Sequence, residues 1–136
     1  MISALDVSAS ALVAQRTRMN VIANNVANAT TTRNERGELS PFQAKYVTFL
    51  ADESFGGPDG VAGVKVGSVV TDNKEPRLKY QPYHPDARDD GYVAYPNINL
   101  MEQMVDAIEA SRAYEANIGV IEVTKNLARE TLRIVE

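Results

Sequence analysis

The chain has 136 residues, of which 44% are hydrophobic, a composition typical of a single globular domain. Its formal net charge of -4 and its scattered basic residues do not favour nucleic acid as a partner. Cysteine is absent, which excludes disulfides, thiolate nucleophiles and cysteine metal sites. The first nineteen residues lack a basic segment followed by an apolar core, so we expect neither a cleaved secretory signal nor direct membrane insertion.

Residue types sort sharply by position. All six prolines, seven of the eight glycines and eight of the nine aromatic residues fall between Arg33 and Pro96. The two ends contain no proline and a single glycine, Gly119, and are therefore free to be long helices. We predict a mainly α protein with long N- and C-terminal helices packed as a coiled-coil-like pair, and a small β-rich or irregular insert between them. The predicted boundaries are 1–32 for the first helical part, 33–96 for the insert and 97–136 for the second helical part.

The first predicted helix runs from about Ser3 to about Asn28. Its apolar side chains at Leu5, Leu12 and Met19 recur every seven residues, and Val26 continues the series. A seven-residue repeat of this kind is typical of a helix that packs along another helix. We therefore predict that this stripe is the packing seam of the first helix.

The second predicted helix runs from Asn99 to near Val135. Asn99 with Glu102 is a helix-start pattern, and apolar residues then step by three or four. The apolar surface is wider than a two-helix contact requires, so we expect other chains to cover part of it. Tyr114 on this surface is either a core ring or an interface residue whose hydroxyl reaches a partner. The residues predicted to pack against the first helix, within and between subunits, are Met104, Tyr114, Ile118, Ile121 and Leu132.

The insert shows the alternation of short strands. Alternating residues at 42–48 and at 64–70 predict two strands, separated by a glycine-rich turn at Gly56–Gly60. Leu78, Tyr80 and Pro82 suggest a third extended piece, before a proline-rich stretch in which proline limits pairing. The polar segment from Thr30 to Ser40 reads as a linker, and we expect it to be poorly ordered in an isolated subunit.

A catalytic or metal site is not favoured. His84 lies near three carboxylates, but Arg88 stands among them and the spacing lacks the closing glutamate of a calcium loop. His84 is the sole histidine, and no Gly-x-Ser-x-Gly motif accompanies it. We therefore expect no enzyme activity, no metal and no cofactor, and we interpret the carboxylates as part of a solvated turn. They are Asp86, Asp89 and Asp90.

A cluster of asparagines near the end of the first helix has two readings. Asparagine is a poor helix former, so such a cluster needs an offsetting interaction. The plainer reading is a fraying helix end at which Asn28 caps the C-terminus. The alternative is a polar seam whose amides bond to neighbouring helices and fix their register. The cluster comprises Asn20, Asn24, Asn25 and Asn28.

Two motifs resemble known proteins. The segment Ala23–Asn28 resembles the Ala-Asn-Asn-Leu-Ala-Asn signature of the flagellar axial proteins, which include rod, hook and hook-junction subunits. The segments Gly91–Asn99 and Ala110–Asn117 are similar to the proximal-rod members of the flagellar basal-body rod protein family. The first motif points to the wider superfamily and the second pair to the proximal rod.

The resemblance implies a structural subunit of the bacterial flagellar proximal rod, which polymerises through its terminal helices into part of the periplasm-spanning drive shaft and export channel. The implied partners are copies of itself, other rod proteins, the MS ring and adjacent rod-base proteins, and the flagellar type III export apparatus, which exports the chain without signal cleavage. The alternatives are another flagellar axial subunit, a soluble helical adaptor, or an enzyme that uses His84.

Overall fold

The computed structural model describes residues 2–55 and 62–135. Two long helices flank two antiparallel hairpins along the chain. The prediction of a mainly helical chain with a small β-rich insert is therefore confirmed. The predicted turn at Gly56–Gly60 lies outside the described residues. No helix in the described ranges is long and apolar enough to span a bilayer. The elements are α1 (Ile2–Ala27), β1 (Lys45–Asp52), a 3-10 turn (Glu53–Phe55), β2 (Gly63–Thr71), β3 (Arg77–Tyr80), β4 (Tyr92–Tyr95) and α2 (Leu100–Val135).

The start of α2 follows the local sequence. The Asn99 side-chain oxygen accepts a hydrogen bond from the Met101 amide at 3.1 Å, which satisfies one of the free donors at a helix start. The Asn99 carbonyl accepts the first intrahelical bond, from Gln103. Glu102 adds a negative charge to the first turn, where the helix dipole favours it. Asn99 therefore caps α2, as the sequence predicts.

The first hairpin pairs β1 with β2 in antiparallel register, from Lys45 opposite Thr71 to Asp52 opposite Gly63. A register shift between Thr48 and Phe49 marks a bulge. Strand β1 begins and ends later than the predicted 42–48. Its start coincides with the point where the Asn25 amide bonds to the backbone of Lys45, a long-range contact that alternation alone does not reveal.

The second hairpin pairs β3 with β4. The predicted extended piece around Leu78 is thus a strand, and its partner comes from the proline-rich stretch. Pairing is possible because the prolines flank β4 without interrupting it. Gly91, just before β4, has a φ of 78°, and a Cβ there would lie 2.8 Å from the Tyr80 ring. Both the backbone conformation and the close ring require glycine at this turn.

Helix α1 is the centre of the fold. It packs against α2 on one side and against the first hairpin on another, whereas α2 has extensive contact with α1 alone among the described elements. Contacts of Asn25 with Gln103 and of Arg18 with Glu109 show that the two helices run antiparallel. The two terminal helices therefore pack against each other within one subunit.

The face of α1 that is buried differs from the predicted heptad seam. The seam residues Leu5, Leu12 and Met19 are half-buried, and Val26 is exposed. Because α1 has two neighbours instead of one, its buried face is turned toward both, and its mostly small side chains let those neighbours approach closely. The buried positions of the helix pair are Ser8, Ala14, Ile22 and Asn25 on α1, and Gln103 and Ala110 on α2.

The segment between α1 and β1 is a hydrogen-bonded loop, contrary to the expectation of a poorly ordered linker. Arg33 and Leu39 form an isolated antiparallel bridge. Inside it, the Asn34 side-chain oxygen accepts from the amides of Arg36 and Glu38, and Gly37 adopts a φ of 79°. From its composition the segment is only polar. Asn34 and Gly37 nevertheless have the side-chain and backbone properties that form a defined turn.

Candidate assembly interface

Asn25 joins three elements through one side chain. It is 1% exposed, and its amide nitrogen donates to the Lys45 carbonyl at 2.8 Å and to the Gln103 side-chain oxygen at 2.9 Å. Its own side-chain oxygen accepts from the Lys45 backbone amide at 2.9 Å. The carboxamide therefore mimics a paired strand residue at the start of β1 while it holds α2. Helix α1, strand β1 and helix α2 are thereby fixed relative to one another.

The other three asparagines of the predicted polar seam have different environments. Asn20 and Asn24 are exposed. Asn28 is half-buried, and its amide bonds back to the Asn24 carbonyl at 2.9 Å, while its side-chain oxygen accepts from Thr31. Asn28 thus stabilises the end of α1 locally, whereas Asn25 reaches another helix. Within one subunit the structure does not bring the four amides together.

Polar contacts flank the helix pair on one side. Arg18 lies 3.4 Å from the Asp106 carboxylate and 3.5 Å from that of Glu109. The Ser111 hydroxyl approaches the Met19 sulfur at 3.7 Å. Because these groups are partly solvated, each ion pair contributes only about 0–1 kcal/mol. These contacts fix the register of α1 on α2 and contribute little to the stability of the helix pair.

Many of the predicted packing residues remain accessible in the subunit. Tyr114 and Ile121 are half-buried beside α1, as are Leu5, Leu12 and Met19 on the other helix. Contact within the chain therefore covers part of the predicted surface and leaves the rest facing outward. The predicted packing residues that are exposed are Val26, Met104, Ile118 and Leu132.

A further apolar surface lies on the side of α2 that faces away from α1. Met101, Val105 and Ile108 share this side and are 69%, 58% and 55% exposed. These three residues are not among those predicted from the sequence to pack, although their spacing of four and three residues is a helical stripe. We call these three residues the outer α2 stripe. Large side chains aligned and exposed in this way are typical of a protein interaction site.

Two of the three carboxylates near His84, Asp86 and Asp90, serve the fold. Asp86 is buried, accepts hydrogen bonds from the Thr32 hydroxyl and the Arg33 guanidinium, and forms an ion pair with Arg33. The hydrogen bond from Thr32, followed by that from Arg33, lowers the pKa of Asp86. His84 accepts from the Asp86 amide, and Asp90 accepts from the Tyr92 amide. In the described ranges no three His, Cys, Asp or Glu side chains are grouped to hold a metal.

Removal of the Asp86 carboxylate should open the 30–40 loop. We expect trypsin to cut after Arg33 or Arg36 several-fold faster in Asp86→Ala than in the native chain, because the loop loses both of its ties to the second hairpin. Asp89→Ala, which removes an exposed carboxylate three residues away, is the matched control. Because the pKa of Asp86 is lowered on folding, this tie is present above the unfolded pKa of about 3.9 and is lost as pH falls through the folded value. Equal cleavage of both variants would contradict the role of Asp86.

Comparison with known proteins gives a consistent result. The family described as "Flagella basal body rod protein" matches residues 5–33, and the family described as "Flagellar basal body rod FlgEFG protein C-terminal" matches residues 89–134. Full-length relatives are named flagellar basal-body rod protein FlgC. The chain is 39% identical to the one from Bacillus subtilis (strain 168), over 96% of this chain and 95% of that protein. It is 40% identical to the one from Borreliella burgdorferi, over 98% of this chain and 97% of that protein. For Salmonella typhimurium the identity is 39%, with the same two coverages.

Proposed function

The chain belongs to the FlgC family of flagellar basal-body rod proteins, which are structural rod subunits, and we propose that it polymerises in the proximal rod through the outward faces of α1 and α2. In this proposal residues 1–32 and 97–136 form the tube wall, and the 33–96 insert packs against it. Torque then passes along helices that are held by side-chain contacts on both sides.

The observation that carries the proposal is the exposure of the outer α2 stripe. Burying a side chain such as Met101 or Ile108 contributes roughly 1.5–3 kcal/mol relative to leaving it in water. A helix that packs on one neighbour and presents such residues on its far side gains this energy only in an assembly. The exposed members of the predicted packing set, among them Ile118 and Leu132, are further apolar side chains of α2 that the subunit leaves accessible.

The proposed partners are copies of the chain, other rod proteins, the MS ring with adjacent rod-base proteins, and the type III export apparatus. The proposed location is the periplasmic rod, reached without signal cleavage. A soluble helical adaptor that works as a monomer would not need the exposed stripe, and that exposure is why we favour the structural role. An enzyme that uses His84 is disfavoured because the imidazole accepts from the Asp86 amide within a structural turn.

Deletion and complementation test this function. A strain that lacks the chain should be non-motile and should yield basal bodies without a complete rod, and the native chain supplied from a plasmid should restore both. Purified basal bodies from the complemented strain should contain the chain. Normal rods in the deletion strain, or absence of the chain from purified basal bodies, would overturn the proposal.

A further inference from the structure

The outward face of α1 carries a charge pattern that the outward face of α2 repeats. On α1, Asp6, Ala9, Val13 and Arg16 follow the spacing 0, 3, 7, 10, which places them on one side of the helix, and all four are exposed. Val13, in the middle, is 66% exposed. The face therefore has an acid and a base about 15 Å apart, with small apolar residues between them. We call it the outer α1 face.

The side of α2 that bears the outer α2 stripe is bounded in the same order. Glu102 and Arg112, both exposed, are also ten residues apart, and Val105 and Ile108 lie between them. When two such helices are set antiparallel, Asp6 meets Arg112 and Arg16 meets Glu102. Val13 then faces Val105, and the large Ile108 lies one residue off the position opposite the small Ala9. Charge is complementary in this one orientation, whereas a parallel arrangement opposes acid to acid and base to base.

From this match we propose that the outer α1 face of one copy binds the outer α2 stripe of a second copy of the chain, in antiparallel orientation, with Asp6 paired to Arg112 and Arg16 paired to Glu102.

Orientation gives a second argument. Within a subunit α1 and α2 are antiparallel, so an antiparallel contact between α2 of one copy and α1 of the next makes both copies point the same way. Each copy offers one face of each kind, so the contact is heterologous and can be repeated from copy to copy into a ring or a helical filament. A parallel contact would invert alternate copies, and a contact of α2 with α2 would stop at a dimer. The antiparallel contact is the one compatible with a polar tube.

The proposed Asp6–Arg112 ion pair is better suited to a test than the Arg16–Glu102 pair. Glu102 lies near Lys74 of its own chain, where Asp72 raises the pKa of the lysine by its hydrogen bond and Glu102 contributes in addition. Asp6 and Arg112 have no ion-pair partner within 4 Å among the described residues, so a change at either position reports on the contact between copies.

The proposed contact presupposes the proposed rod function, and cross-linking tests it separately. Because the native chain has no cysteine, single replacements give a clean background. We would coexpress Val13→Cys and Val105→Cys full-length chains in motile cells, oxidise them, and look for a dimer on a non-reducing gel. The matched control pairs Val13→Cys with Val123→Cys, another exposed valine of α2. We expect a dimer with the first pair and none with the control pair or with either variant alone.

Charge reversal gives the second arm. Asp6→Arg should reduce the yield of complete rods about tenfold, since like charges opposed at an interface are costly, and Arg112→Asp in the same chain should restore it to within about twofold. Two results would overturn the contact: normal rods without the Val13–Val105 cross-link, or a cross-link formed by Val105→Cys alone. In both cases the chain is still found in rods, so the proposed function stands. Absence of the chain from rods would overturn both the proposed contact and the proposed function.

Discussion

Replacement of Asn25 by alanine should destabilise the isolated subunit by about 3 kcal/mol or more. The change leaves three groups without their partner: the amide and the carbonyl of Lys45, which are partly buried, and the Gln103 side-chain oxygen, which is buried. Each unsatisfied buried group costs roughly 1–3 kcal/mol, and water entering beside the site recovers part of this. Urea unfolding followed by circular dichroism measures the loss.

The neighbouring Asn24 provides a matched control. It is exposed, so Asn24→Ala removes the same atoms without leaving buried groups, and alanine is the better helix former. We expect the free energy of unfolding of Asn24→Ala to change by no more than about 0.5 kcal/mol, toward greater stability. Equal effects of the two replacements would show that the Asn25 hydrogen bonds do not stabilise the fold.

Asn25→Asp sharpens the same test through pH. An ionised carboxylate places an acceptor against the Lys45 carbonyl and the Gln103 oxygen, so the pKa of the new carboxyl should be raised by burial and by these acceptors. A protonated carboxyl can donate one of the two lost bonds. The variant should therefore regain stability relative to Asn25→Ala as pH falls through that raised pKa. A difference between the two variants that does not change with pH would contradict this account.

Ile108→Asp should leave the subunit folded and abolish its incorporation into rods. Ile108 is 55% exposed in the subunit, so a carboxylate there remains hydrated and the melting temperature should change little. At an assembly contact the same carboxylate would be buried among apolar groups at a cost of several kcal/mol. We expect native circular dichroism of the purified variant, loss of swimming, and at least tenfold fewer complete rods.

Two controls separate the site from the charge. Ile108→Leu keeps the apolar contact and should swim normally. Asn73→Asp adds the same charge at an exposed loop position and should also swim normally. Normal rods with Ile108→Asp would show that the outer α2 stripe is not an assembly surface.

Local chemistry made some features of the fold predictable. Asn99 lies next to the helix that it caps, so the start of α2 is determined by residues adjacent to it in sequence. The absence of proline from both ends, where Gly119 is the sole glycine, likewise predicts the two helices, and alternation predicts the existence of β1 and β2. In each case the residues that decide the structure are neighbours in sequence.

Features that depend on distant partners were not predictable. Asn24 and Asn25 are chemically identical neighbours, and Asn25 alone is buried because β1 and α2 cover that side of α1. Asp86 was interpreted as part of a solvated turn, but it is buried against Thr32 and Arg33, more than fifty residues away. The buried face of α1 differs from the predicted seam because the seam assumes one neighbour and α1 has two.

The bond between Asn25 and Gln103 also sets the order in which the chain folds. It spans 78 residues, so bringing its ends together costs loop-closure entropy on the order of 4 kcal/mol before the helix contact contributes any favourable energy. Both hairpins connect strands that are close in sequence and close more cheaply. The hairpins should therefore form early and the helix pair late.

Until the helix pair forms, α1 presents Ala14 and Ile22 to any α2 that arrives first, and at high concentration that partner will be the helix of another molecule. Domain-swapped dimers are the expected by-product of refolding this chain.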